Sequence, residues 1–174
     1  MEYIKGSDFR LHNTVVTLGK FDGLHLGHKE LIDIVLKTKG LTKVLFTFDV
    51  NPLSILSDKE FKVIETGTER INLMKDSGFD YMIDYPFTME TINTDADEFI
   101  KTIIHDKLGA KMLVVGTDFR FGKDRLGDVE LLEKRSKEYG YVLKVIEKKK
   151  MYGEVISSTR IRSLIKKGEI RLAN

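Results

Sequence analysis

Short apolar runs alternate with amphipathic ones along this chain. TVVTL (Thr14–Leu18), KVLFTF (Lys43–Phe48), YMIDY (Tyr81–Tyr85), MLVVG (Met112–Gly116) and VLKVIE (Val142–Glu147) are rich in β-branched and aromatic residues, and each predicts a strand. Between them, apolar positions recur at helical spacing, predicting helices over His28–Lys37, Thr68–Ser77, Ala96–Lys107 and Val129–Tyr139. In the first of these, Leu31, Ile32, Val35 and Leu36 share one face. Gly40, Gly78, Gly109 and Gly140 each follow a helix, where a C-terminal cap belongs. A last helix, Thr159–Lys167, stops before Gly168. Alternation of this kind predicts an α/β fold: a mostly parallel sheet with helices on both faces, binding its ligand beyond the carboxyl ends of the strands. The stretch Val50–Gly67 breaks the pattern and is expected to be a lid or binding loop.

The length, 174 residues, suits a single domain spanning 1–174. The absence of cysteine excludes disulfides, thiolate metal sites and a cysteine nucleophile, and it fits a cytoplasmic protein. The opening MEYIKGSDFR has no apolar core of a signal peptide, and no run approaches membrane-spanning length, so no membrane partner is expected. A net charge of +2 gives no reason to expect a nucleic-acid partner. The charge is uneven, however. Lys148, Lys149, Lys150, Arg160, Arg162, Lys166, Lys167 and Arg171 face only Glu154 and Glu169 in the last stretch of chain. This is either a solvated helix face or one in which one or two cations meet an anionic ligand.

The chemistry concentrates in GKFDGLHLGH (Gly19–His28), which follows the first predicted strand and opens the first helix. Unpaired N–H groups and the dipole at a helix start favour an anion there. Gly19 and Gly23 allow unusual backbone geometry, and Gly27 allows a phosphate to approach the helix end. The spacing is neither GxGxxG nor GxxxxGK[ST], so histidine takes the role that lysine has in a P-loop, donating hydrogen bonds to phosphate oxygens. His25 and His28 could also be zinc ligands or mere helix caps, but His12 and His105 lie in no supporting pattern for a metal.

Two further segments point the same way. In ISSTRIR (Ile156–Arg162), the hydroxyls of Ser157, Ser158 and Thr159 precede a helix, and Arg162 lies one turn further on nearly the same face. Alone this is an ordinary N-cap; with the first motif it suggests a polyphosphate gripped at both ends. GTDFRFG (Gly116–Gly122) follows the fourth predicted strand and exposes Phe119 and Phe121 unless they pack on their own loop or on a planar ligand ring.

GKFDGLHLGH resembles the GxFDGxHxGH signature of the nucleotidyltransferase superfamily, and ISSTRIR resembles its ISSTxxR signature. With GTDFRFG and FTFDVNP, nearly the whole chain is similar to the FMN adenylyltransferase (FAD synthetase) module of bacterial bifunctional riboflavin kinase/FAD synthetases. The resemblance implies a Rossmann-like nucleotidyltransferase fold and the reaction of ATP with FMN to give FAD and pyrophosphate, with Mg²⁺ accompanying ATP and no clear protein ligand for the metal. It implies catalytic roles for His25, His28 and Arg162, and ATP contacts at Gly19, Phe21, Asp22, Gly27, Asp118, Ser157, Ser158 and Thr159. Phe48, Pro52 and Phe87 lie at or just after predicted strand ends and, with Asn51 and Phe119, are candidates to flank the flavin, although core or rim packing accounts for them equally well. Where the family often has His-Pro, this chain has Asn51-Pro52, and asparagine cannot carry a positive charge. The resemblance stops before the riboflavin kinase domain of the bifunctional proteins, so a riboflavin kinase acting upstream, on a separate protein or on a C-terminal domain missing from this sequence, is an expected partner. The alternatives are a pantetheine-phosphate adenylyltransferase, a cytidylyltransferase, or a nucleotide-binding regulatory module without turnover.

Overall fold

The computed structural model describes residues 1–49 and 63–173. Within them a six-stranded sheet is built from β1 (Glu2–Lys5), β2 (Thr14–Leu18), β3 (Thr42–Phe48), β4 (Tyr81–Tyr85), β5 (Ala110–Gly116) and β6 (Val142–Ile146), in the order β1-β4-β3-β2-β5-β6. Every neighbouring pair is parallel, with Val16 opposite both Val44 and Leu113 at the centre. The chain steps outward from β2 to β3 and β4, then returns to the other side of β2 for β5 and β6. The strand order therefore reverses at β2 and β5, and a crevice opens beyond their carboxyl ends.

Alternation along the strands separates two cores. One face carries Val16, Val44, Phe46, Ile83, Leu113 and Val115, packed against Phe99, Ile100, Ile104 and Leu132 of the helices. The other carries Val15, Leu45, Met82 and Val114, packed against Leu31, Ile32 and Val35 of α1 (Leu26–Lys37) and Met74 of α2 (Gly67–Lys75). Successive strand side chains point to opposite faces, so an apolar run with no polar alternation marks a strand covered on both sides.

The five predicted strands are all present, within two residues at either end. The helices differ more. α1 begins at Leu26 rather than His28, which places His25 at its N-cap. α2 begins at Gly67, because Thr66 and Glu69 form a capping box. After the short α3 (Met89–Ile92), the predicted Ala96–Lys107 helix is α-helical only as α4 (Ala96–Phe99) and continues as a π-helix over Ile100–Lys107. α5 (Val129–Tyr139) ends as expected on Gly140, whose φ of 68° is the left-handed geometry of a C-terminal cap. The two-residue strands β7 (Lys150–Met151) and β8 (Glu154–Val155) form a hairpin, followed by α6 (Ser158–Lys166) and α7 (Ile170–Ala173).

Candidate active site

β2 delivers the chain to Gly19 at the reversal of strand order, and the following turn bends back to start α1. Phe21 has a positive φ of 47° and drives its ring wholly into the α1 side of the core. Its side chain is thus a floor for the site and does not face the crevice. His28 rests on that floor, with ring centroids 5.1 Å apart, and His25 stacks on His28 at 3.7 Å with planes 13° apart. His25 Nδ1 accepts the backbone N–H of His28 at 3.3 Å and so caps α1. That bond requires the unprotonated nitrogen at Nδ1 and leaves Nε2–H as the donor. Burial lowers the pKa of His25 and pushes that of His28 down to about 3, with the neighbouring His25 adding to the shift. Without ligand the pair is neutral at pH 7. It offers N–H donors rather than charge, and His28 Nδ1 is buried without a hydrogen-bond partner.

Gly27 is explained by the same stack. A Cβ there would lie 3.2 Å from the His25 ring, so the glycine accommodates the imidazole as well as any ligand. Gly23 has φ of 74°, and a Cβ on it would meet the Ile64 side chain at 2.7 Å.

Asp22 joins the two ends of the chain. It is only 6% exposed. Its Oδ1 accepts the N–H groups of Ile64 (2.8 Å) and Glu65 (3.2 Å), and its Oδ2 accepts Arg162 Nη1 at 2.6 Å. The Asp22 carbonyl accepts Ser158 Oγ at 2.7 Å. One residue thereby fastens the His25–His28 turn to the start of α6. Ser157 is the N-cap of α6 and accepts the N–H of Arg160, while Arg162 Nη2 donates to Thr159 Oγ1 at 3.4 Å. Two helix N-termini, those of α1 and α6, are thus tied to one aspartate. Sequence spacing gave no warning of the Asp22–Arg162 pair, because its partners are 140 residues apart.

The remaining expected residues fall into two groups. Asp118, in the turn after β5, pairs with Lys148 at 2.8 Å and acts electrostatically on both histidines. Gly19, Asp118, Ser157, Ser158 and Thr159 all belong to the carboxyl-end loops or the α6 start. Phe119 stacks on Phe121 at 5.5 Å, and Phe121 packs on Phe99, so this loop covers its own aromatics. Phe48 and Phe87 meet edge-to-face at 5.0 Å beside the β3 end, and Phe87 N donates to Asp49 Oδ1. Asn51 and Pro52 lie outside the described residues.

A cavity of about 90 Å³ opens beside this assembly, lined by Lys20, Asp22, Phe48, Asp49, Glu65 and Arg70. A larger hollow, about 570 Å³, lies among His12, Asn13, Gly40, Thr42 and Asp80 at the amino ends of the strands. It is remote from every chemical group described above and at the end of a parallel sheet that does not receive ligands. Lys20, Glu65 and Arg70 were not singled out by the sequence reading. Arg70 pairs with Asp84 at 3.1 Å and also donates to the Lys20 carbonyl. Among the described residues no three His, Cys, Asp or Glu side chains converge on a metal position.

The family model for FAD synthetase matches residues 8–160, which includes the histidine turn and the start of α6. The chain belongs to the FAD synthetase family. Among curated members, a bifunctional riboflavin kinase/FMN adenylyltransferase of Buchnera aphidicola is 34% identical over 93% of this chain and 53% of its own length. The protein of the same description from Escherichia coli K12 is 31% identical over 91% and 52%, and a Listeria monocytogenes FAD synthetase is 31% identical over 91% and 66%. The chain thus spans about half the length of the bifunctional members it matches. Among solved structures, one described as a macrolide-efflux protein from Streptococcus pneumoniae superposes with a TM-score of 0.83 at 28% identity, covering 99% of this chain and 60% of that one. No helix among the described residues is long and apolar enough to cross a membrane. A Francisella tularensis pantoate-beta-alanine ligase, at 13% identity and a TM-score of 0.53 over 86% of this chain and 65% of that one, shares the fold alone. The expected nucleotidyltransferase-type Rossmann-like architecture is therefore present in this FAD synthetase family member.

Proposed function

We propose that this chain transfers the adenylyl group of ATP to FMN, forming FAD and pyrophosphate. An oxygen of the FMN phosphate attacks the α-phosphorus, the bond from that phosphorus to the β-phosphate bridging oxygen breaks, and pyrophosphate departs with the electron pair. The attacking phosphate is already ionised at neutral pH, so no protein nucleophile or general base is required. Catalysis is then positioning and charge stabilisation. The observation that carries this reading is the Asp22 clamp, which holds two helix N-termini, two imidazole donors and one guanidinium at the reversal point of a parallel sheet. FMN as the acceptor is supported by family membership and by the names of the relatives.

In this reading the His25 Nε2–H and the α1 N-terminus stabilise charge on the α-phosphate, and Arg162 with the α6 N-terminus receives the departing pyrophosphate. Ser157 and Thr159 orient that helix start. Phe48 and Phe87 form a wall for the flavin. Asp22 is engaged by Arg162 and two N–H groups, and Asp118 pairs with Lys148. In this reading magnesium enters with the substrate, as the Mg²⁺ complex of ATP. A cytoplasmic riboflavin kinase activity supplies FMN, and it is present in the bifunctional relatives by name.

The test is product formation from ATP and Mg²⁺ across FMN, riboflavin, phosphopantetheine and glycerol phosphate, followed by chromatography and pyrophosphate release. FAD is expected from FMN, and neither FMN nor FAD from riboflavin. Turnover of another acceptor with none of FMN overturns the reading, and so does ATP binding without pyrophosphate release.

A further inference from the structure

Lys20 sits between Gly19 and Phe21 at the carboxyl end of β2, and it lines the 90 Å³ cavity. Thr47 Oγ1 (3.4 Å) and Arg70 Nη1 (3.1 Å) both donate to its backbone carbonyl. Its ammonium makes no ion pair among the described residues. Of the three carboxylates that line the cavity with it, Asp22 and Asp49 are engaged elsewhere. Asp22 serves Arg162 and two N–H groups, Asp49 accepts Phe87 N, and Arg70, the other cation of the cavity, pairs with Asp84. Glu65, whose Oε2 is buried without a partner, has its pKa raised by burial and then by Asp22. Burial lowers the basicity of Lys20, and the fields of Arg125 and Arg162 lower it further against the opposing pull of Asp22. Arg125 is brought there by the turn after β5, where Asp124 and Arg125 both have positive φ (52° and 59°).

A partly buried ammonium that feels two guanidiniums, with the Asp22 field opposing them and no ion pair of its own among the described residues, gains a direct counter-charge when an anion arrives. We propose that Lys20 is a phosphate-binding residue of this site, donating to phosphate oxygens that enter the cavity it lines. At about 90 Å³ the cavity is of a size to take a phosphoryl group. The inference rests on the adenylyl-transfer reading and names a residue that neither signature contains as a fixed position. Two phosphates could fill the role, that of FMN or one from ATP; the shared chemistry is the phosphate dianion or diester oxygen.

The experiment compares wild type, Lys20→Met and Lys20→Arg, with folding checked by far-UV circular dichroism. Flavin fluorescence titrates FMN and riboflavin, and calorimetry titrates α,β-methylene ATP. A charged hydrogen bond in a partly buried site predicts a loss of roughly 10- to 100-fold in affinity for Lys20→Met, largely restored in Lys20→Arg. If FMN weakens while riboflavin does not, Lys20 holds the acceptor phosphate; if the ATP analogue weakens while FMN does not, it holds the nucleotide. Unchanged affinity for both overturns the proposal. As a check that needs no variant, Lys20 in wild type should be shielded from a succinimidyl ester by one of the two ligands, as read by peptide mass spectrometry; equal labelling with and without both ligands also overturns it. FAD synthesis by wild type is measured alongside, so that failure of the proposed reaction is told apart from failure of Lys20 to bind.

Discussion

Replacing His28 with glutamine should flatten the acid limb of the stability curve. The folded chain holds His28 with a pKa of about 3, because its ring is buried between His25 and Phe21. In the unfolded chain the same imidazole titrates at about 6.5. Above pH 6.5 both states carry a neutral ring and nothing is lost. As the pH falls below 6.5, the unfolded state binds a proton that the folded state refuses, and stability declines down to about pH 3. Linkage over that interval gives a loss of about 2 kcal/mol at pH 5 and about 4 kcal/mol by pH 3 from this one group. The assay is urea unfolding of wild type and His28→Gln at pH 7 and pH 5, in buffers free of phosphate. Taking the difference between the two pH values within each protein removes any constant cost of the substitution. Wild type should lose about 2 kcal/mol more than the variant between the two pH values. Equal losses would mean that the imidazole is solvated when folded, and the account of a neutral, donor-only histidine pair would be wrong.

Asp22→Asn removes the charge from a clamp that is 7% exposed on the aspartate side and 19% on the arginine side; it should cost about 3 kcal/mol, a fall of roughly 6–12 °C in Tm. Combining it with Arg162→Met should cost less than the sum of the two single changes, and additivity in a thermal-melt cycle would contradict the pairing. Arg162→Lys should recover only part of the ATP use lost in Arg162→Ala, because a lysine has no planar fork to span Asp22 and Thr159; equal kcat/KM for the lysine variant and wild type would contradict this. His25→Ala should lower kcat by about 10²–10³ with a smaller change in KM for ATP, and near-normal turnover would remove the imidazole from the reaction.

The sheet was legible because its strands are covered on both faces, which forces uninterrupted apolar runs such as Val15–Val16 and Val44–Phe46. β1 was not legible for the opposite reason. It is an edge strand that pairs only with β4 and keeps most of Glu2–Lys5 exposed, so its sequence carries no strand pattern. The β7–β8 hairpin is too short to alternate, although Tyr152-Gly153, both at positive φ, was an available turn signal. Of the candidate site, the groups at the starts of α1 and α6 were readable from local helix-start patterns. The burial of the Phe21 ring was not legible, because its positive φ, which turns the ring into the core, leaves no mark in the residue pattern. Asp22 and Lys20 were under-read because their meaning depends on partners from distant segments. The change from α- to π-helix at Ile100 leaves no mark in a residue pattern that both helix types satisfy.

The aspartate clamp also sets an order of assembly. All six strands of the large sheet are complete by Ile146, but Ser158 and Arg162 come after it. On a ribosome, which emits residues from the amino end, the sheet and both its cores can condense while the histidine turn still lacks its distant tether. The clamp therefore closes late in synthesis, by a contact spanning well over a hundred residues whose closure cost grows only slowly with that span. A nascent chain arrested between Ile146 and Ser158 would have all six strands of the large sheet while the Asp22 clamp is still open.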